Sequence, residues 1–220
     1  MSLPIQLVVF DLGGVIVRIC RSWPEACERA GVPVREGWDD PTLRAARREL
    51  NKRHQEGRID CETFFEGLAA TAPGLYSTDE VRRIHDAWTL DEYAGAGALI
   101  RRLHEAGVAT GVLSNTNHAH WRRLAPPAHV EASEYPTPRM VTHLYASHLM
   151  GMSKPDETIY KEFARRTGFD PGRIVFFDDL EENVIAAQRA GWNAVQVDHA
   201  GDTVAQMVRA LESLGLFRQK

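Results

Sequence analysis

The chain has 220 residues, of which 44% are hydrophobic, enough to bury one good-sized core or a core with a smaller attached domain. A formal charge of −4 excludes a chain-wide basic footprint for nucleic acid, so the local cluster Arg44, Arg47 and Arg48 reads as a solvated helix face. The longest apolar stretch is broken by Asp11 and two glycines and falls short of the roughly 20 residues that cross a bilayer, so neither nucleic acid nor a membrane is an expected partner.

The first predicted element is a strand, Leu7-Val8-Val9-Phe10, followed at once by Asp11-Leu12-Gly13-Gly14-Val15. A strand buried on both faces has no packing use for a carboxylate, and the glycines let the next turn bring its backbone close to whatever Asp11 touches. That pattern suits a nucleophile or a metal ligand. The stretch from Ile16 to Tyr93 differs: it shows no convincing alternation and carries helix starts in series. These are Asp40 before Pro41, Asp60 before Cys61-Glu62, and Ser77 with Glu80 three residues on as a capping box. Its aromatic residues Trp23, Trp38, Trp88, Phe64 and Phe65 are expected to form its own core rather than a platform for a substrate.

From Leu99 onward strands alternate with helices. Val108–Leu113, Thr142–Ala146, Arg173–Phe177 and Asn193–Val197 read as strands; Lys161–Thr167, Glu182–Ala190 and Val204–Leu214 show helical spacing. This is the βα alternation of a parallel sheet covered on both faces, hence an α/β fold. Pro126-Pro127 and Tyr135-Pro136-Thr137-Pro138 mark an irregular loop. Three cysteines without a paired spacing, Cys20, Cys27 and Cys61, and no basic-plus-apolar leader before the first strand lead to the expectation of a reducing cytoplasm. Nothing in the pattern sets an oligomeric state.

Polar clusters stand at three strand ends or just beyond. Ser114-Asn115-Thr116-Asn117 can offer a hydroxyl and free N–H groups to an anion. Asp178 and Asp179 are adjacent carboxylates, costly unless a cation or donors hold them. Between them Gly151-Met152-Ser153-Lys154-Pro155 sets a lysine before a proline that is expected in the first turn of a helix, in a chain with 22 arginines and four lysines. Ligands of open parallel sheets bind at the carboxyl ends of the strands, so these groups are expected to meet Asp11 in one crevice. His118, His120, His143 and His148 lack the spacing of a zinc site, and none is expected.

Taken in order, Val8–Val15, Val112–Asn115, Lys154-Pro155 and Phe176–Asp179 resemble the four motifs of the haloacid dehalogenase superfamily over nearly the whole chain. The stretches "VLSNTN", "GMSKPDETIY" and "VFFDDLEENVIAA" are most similar to bacterial α-D-glucose-1-phosphate phosphatases and, more distantly, to the N-terminal phosphatase domains of soluble epoxide hydrolases. The resemblance implies a Rossmann-like parallel core, 1–15 and 94–220, and an inserted helical C1 cap, 16–93. It implies a Mg²⁺-dependent phosphatase acting on a small phosphate monoester, such as a sugar phosphate, through an aspartyl-phosphate. Asp11 would be the nucleophile; Asp11, the Gly13 carbonyl and Asp179 would hold the metal. Ser114 and the Asn115 N–H would hold the transferring phosphoryl group, and Lys154 would neutralise it, with Asp178 and Asn183 as orienting partners.

One position departs from the common phosphatase pattern: Gly13 stands where a second Asp ordinarily protonates the leaving group. Two rival readings stay open at this point. A metal-independent 2-haloacid dehalogenase also lacks that Asp, but Asp178 and Asp179 would repel a haloacid carboxylate. A phospho-accepting or phosphate-binding signalling domain uses the same residue types, but with the acidic pair first and without a helical insertion.

Overall fold

The computed structural model describes residues 4–127 and 134–217, so the middle of the proline-marked loop lies outside the described residues. The chain opens with β1 (Leu7–Phe10) and β2 (Val17–Ile19), then α1 (Trp23–Ala30), α2 (Arg44–Gln55), α3 (Cys61–Ala70), α4 (Thr78–Asp86) and β3 (Thr89–Glu92). It continues with α5 (Ala96–Glu105), β4 (Ala109–Ser114), α6 (His118–Leu124), β5 (His143–Ala146), α7 (Ser147–Met150) and α8 (Glu157–Thr167). β6 (Ile174–Asp178), α9 (Glu181–Arg189), β7 (Asn193–Gln196) and α10 (Thr203–Ser213) complete the order.

Five strands form one parallel sheet in the order β5-β4-β1-β6-β7. β1 is central and wholly buried because both of its faces are covered. Val8 and Phe10 join a layer with Leu103 of α5 and Met207 and Leu211 of α10. Leu7 and Val9 join the opposite layer with Tyr160 and Phe163 of α8 and Ala187 of α9. Each such side chain contributes about 1.5–3 kcal/mol by leaving water, which is why these strands read as continuous apolar runs rather than alternations. The chain runs outward from β1 through β4 to β5 and then returns to the other side of β1 as β6, so a crevice opens at the carboxyl end of β1.

The helices of the insertion start where their caps allow. Ser77 and Glu80 form the predicted capping box, and Asp60 accepts the Thr63 N–H at 2.8 Å. Asp40 caps a single 3₁₀ turn, Pro41–Leu43, that leads into α2. These helices pack around a third apolar cluster that includes Cys27, Trp38, Phe64, Phe65 and Ile84.

Three expectations need correction. The segment 16–93 does contain strands: β2 and β3 pair antiparallel at its two ends, too short, at three and four residues, to show a period. Pro155 lies outside α8, because Asp156 caps the helix by accepting the Thr158 N–H at 2.9 Å, so the helix begins at Glu157. Arg47 is buried rather than solvated, with its guanidinium carbon 3.6 Å above the Trp38 ring.

Candidate active site

Asp11, Asp178 and Asp179 come together at the carboxyl ends of β1 and β6, each offering an oxygen within 4.8 Å of the others. Lys154 lies between them with its side chain fully buried, Nζ 2.6 Å from Asp178 Oδ2 and 3.0 Å from Asp11 Oδ1. Burial alone would lower the lysine pKa, but the two carboxylates outweigh it and hold the ammonium charged. Burial also raises the Asp11 pKa to about 7, with Asp178 and Asp179 adding to the rise and Lys154 opposing it. The contact of Nζ with Asp11 Oδ1 is not aligned as a hydrogen bond, which leaves this buried oxygen unsatisfied among the described residues.

The remaining contacts explain how the lysine is held. Asn115 brackets the Lys154 backbone: its Nδ2 donates to the Lys154 carbonyl at 2.8 Å, and its Oδ1 accepts the Lys154 N–H at 2.9 Å. Ser114, the last residue of β4, is buried beside this pair on the wall of the crevice. Asp178 is saturated, since it accepts from Lys154, from the Leu180 N–H and from Asn183 Nδ2, the last at 3.0 and 3.1 Å. It has no lone pair directed at the crevice to spare, whereas Asp179 lines the crevice and Asp178 does not. Asn183 is itself fixed by the Tyr160 hydroxyl, which donates to its carbonyl at 2.9 Å.

The turn after Asp11 is closed by Val17 N–H donating to Leu12 O and Gly14 N–H donating to Val17 O, both at 2.8 Å, and neither bond uses the Gly13 carbonyl. Gly14 has φ +81°, and a Cβ there would lie 2.5 Å from Asp179 Oδ2. Only glycine permits this approach of backbone to carboxylate. An all-oxygen donor set with an unsatisfied carboxylate oxygen fits a small hard cation.

Two features escaped the sequence. Arg21, just past β2, places Nη1 2.6 Å from Asp179 Oδ2, a contact across 158 positions that no local pattern announces. Ser153, next to Lys154, donates to Glu56 Oε1 at 2.9 Å in a buried contact that ties the insertion to the sheet.

A cavity of about 560 Å³ extends from Asp11 into the insertion, and Trp23, Trp38, Trp88 and Phe64 line it. These aromatics therefore serve both as packing and as cavity wall, more than the core role expected of them. His120 faces the same cavity, stacked on His85 of α4 with ring centroids 3.9 Å apart. His118 and His148 meet edge to face, and His143 packs against Phe169.

Residues 5–191 match the family model of haloacid dehalogenase-like hydrolases. The chain is 28% identical to phosphatase MT3486 of Mycobacterium tuberculosis, covering 96% of this chain and 95% of that one. It is 26% identical to an (S)-2-haloacid dehalogenase of Pseudomonas putida, over 86% of this chain and 82% of the other. Among solved structures it is similar to the HAD family enzyme bt-2542 of Bacteroides thetaiotaomicron in complex with magnesium and inorganic phosphate. That match has a TM-score of 0.72 and 23% identity, over 90% of this chain and 96% of that one.

Proposed function

The chain belongs to the haloacid dehalogenase-like hydrolases, and from that premise we propose that it is a Mg²⁺-dependent phosphatase of small phosphate monoesters working through an aspartyl-phosphate on Asp11. The observation that carries this reading is the charge arrangement around Asp11. With Asp11 ionised for attack, three carboxylates face two cations, Lys154 and Arg21, so the reactive form of the site holds a residual negative charge. Such a site repels a haloacid carboxylate, while one divalent cation would turn it positive and suit a phosphate dianion. The magnesium and phosphate bound by bt-2542 and the phosphatase among the relatives support the same choice over the dehalogenase.

Asp11, Asp179 and the Gly13 carbonyl would hold the metal, which supplies charge neutralisation for the phosphoryl oxygens and lowers the pKa of Asp11 so that it is ionised for attack. One carboxylate oxygen of Asp11 forms a bond to phosphorus as the ester P–O bond breaks, and the leaving oxygen departs with the electron pair. Water then attacks the phosphorus of the aspartyl-phosphate, releasing phosphate and regenerating Asp11. Lys154 neutralises charge on the nucleophile and the phosphoryl group, while Ser114 and the Asn115 N–H hold that group in place; positioning and electrostatics are what phosphoryl transfer needs most. Asp178 and Asn183 keep Lys154 oriented. The helical insertion, which we assign as a cap over 16–93, excludes water during attack and meets the leaving group.

Asp11→Asn should abolish hydrolysis of acetyl phosphate and phenyl phosphate in Mg²⁺ while leaving the circular dichroism spectrum intact. The parent protein should gain 80 Da on the peptide containing Asp11 when quenched in acid during turnover. Turnover by the Asn variant, or chloride release from 2-chloropropionate without metal, would reverse the assignment.

A further inference from the structure

In the proposed reaction the leaving oxygen gathers negative charge with no acid beside it. It departs from the side of phosphorus opposite Asp11, toward the cavity, and Gly13 has no carboxyl to protonate it. A positive charge that reaches this side from the insertion would serve instead.

Among the described residues, the lysine and arginine side chains that line the cavity are Lys154, Arg47 and Arg21. Lys154 is fully buried on the sheet side, with Nζ held between Asp11 and Asp178. Arg47 is committed within the insertion: Nη1 donates to the Trp38 carbonyl, Nε donates to the Thr71 hydroxyl at 3.0 Å, and the guanidinium covers the Trp38 ring. Arg21 is different. Its side chain is one-third exposed, and Asp179 is the only group its guanidinium contacts among the described residues, through Nη1. Nε and Nη2 are left for a ligand.

The fold fixes this placement. Along β2 and just past it, Val17, Ile19 and Arg21 line the cavity in the alternation of an extended chain. Arg18 turns to the other face, with its guanidinium carbon 4.3 Å above the Tyr93 ring, and Cys20 enters the core of the insertion. The backbone is held at both residues: the Cys20 N–H donates to the Trp88 carbonyl at 2.9 Å, and the Arg21 N–H donates to Glu25 Oε2 at 2.7 Å. Gly14 leaves room for the head group, since a Cβ there would run into Arg21 Nη2 as well as Asp179. The guanidinium therefore lies over the turn that follows Asp11. It is one carboxylate away from the nucleophile, because Asp179 and Asp11 offer oxygens within 4.8 Å of each other.

We propose that Arg21 is a further catalytic residue that takes over the task of the missing acid, donating hydrogen bonds from its uncommitted N–H groups to the leaving oxygen. The proposal rests on the phosphatase reading above. The ester P–O bond breaks as the bond from Asp11 to phosphorus forms, and the electron pair stays on the leaving oxygen. The guanidinium keeps its protons, and the departed oxyanion takes a proton from water. Hydrogen bonds of this kind strengthen as charge builds, so they matter more for a basic leaving oxygen than for one that is already a stable anion.

Release of the phenol in the first turnover reads transfer to Asp11 apart from the later hydrolysis. At saturating Mg²⁺, Arg21→Gln should slow that release by about 10² for phenyl phosphate, and at least about tenfold less for para-nitrophenyl phosphate, whose leaving oxygen is far less basic. Equilibrium binding gives a second readout. Orthovanadate places an apical oxygen where the leaving oxygen would stand, whereas beryllium trifluoride on Asp11 has none. Arg21→Gln should weaken orthovanadate about tenfold or more and leave beryllium trifluoride and the circular dichroism spectrum unchanged. Equal slowing of the two esters, or equal weakening of the two anions, would overturn the proposal and make Arg21 a holder of the phosphoryl group. Unchanged rates and affinities would overturn it as well. Absence of phenol release by the parent protein would remove the phosphatase reading, and the role of Arg21 with it.

Discussion

A divalent cation held as proposed would compete with Arg21 for the Asp179 carboxylate. The guanidinium lies 2.6 Å from Asp179 Oδ2 and is only one-third exposed, so it opposes any second cation a few ångströms away. Arg21→Gln should therefore tighten Mg²⁺ binding by about fivefold in a calorimetric titration, and weaker binding would mean that Arg21 helps to build the site. Gly13 sets a second expectation. General acid catalysis is worth about 10² to 10⁴ in rate, so without a donor the rate of phosphoryl transfer should depend steeply on leaving-group pKa across substituted phenyl phosphates. A Cβ at position 13 would meet Ile19 Cδ1 at 3.0 Å, the far end of a side chain that can turn aside. Gly13→Asp combined with Ile19→Ala, which clears that contact, should flatten the dependence. A flat dependence in the parent protein would show that another residue supplies the proton.

At the level of elements, the insertion meets the sheet layers where α4 faces α6. Asn117 does two things there: its Oδ1 caps α6, and its Nδ2 donates to His85 and His120. His120 Nε2 then donates to the His85 carbonyl at 2.8 Å. Asn117→Asp keeps the capping oxygen and replaces the donor with a negative charge, so α6 should remain while both imidazoles are drawn toward protonation. Nitrogen-detected NMR of the histidine side chains should show His85 and His120 titrating below the usual histidine range in the parent, as their burial dictates, and higher in the Asp variant. Unchanged titration would mean that Asn117 does not set the tautomers.

For the molecule as a whole, the buried histidines link folding to pH. Burial lowers the pKa of His54 to about 3 and of His148 to about 4, while unfolded histidine titrates near 6.5. Below about pH 6.5 the unfolded chain binds protons that the native state refuses, so stability is full above that pH and falls as the pH drops toward about 4. Neither ring nitrogen of His148 makes an aligned hydrogen bond. Replacing it with an apolar group of similar size removes a proton-uptake site at little cost in contacts. His148→Leu should thus leave the urea midpoint at pH 7.5 nearly unchanged and reduce its fall between pH 7 and pH 5. A fall as steep as the parent's would place the linkage elsewhere among the histidines.

The fold and three of the polar clusters were legible because each is written in consecutive residues, an apolar run long enough to be a strand followed by groups that no core accepts; Lys154, which follows α7, stood out only as a scarce lysine before a proline. Asp11, Ser114, Lys154 and Asp179 line one crevice, with Asp178 behind them on Lys154. Helix starts such as Ser77-Glu80 were legible because a cap is a contact between near neighbours. The ribbon β2–β3 was not, since three or four residues show no period and their pairing partner is about 70 positions away. Arg21 on Asp179, Glu56 on Ser153 and Arg47 beneath Trp38 were invisible for the same physical reason. A charged side chain in a helix or a turn looks solvated until the fold brings a distant partner to it. Which polar groups stand at the strand ends can be read from the residues alone, because burial and charge conflict there locally. That Trp23, Trp38, Phe64 and His85 border the cavity follows only from the tertiary structure, because it depends on how the insertion lies over the sheet.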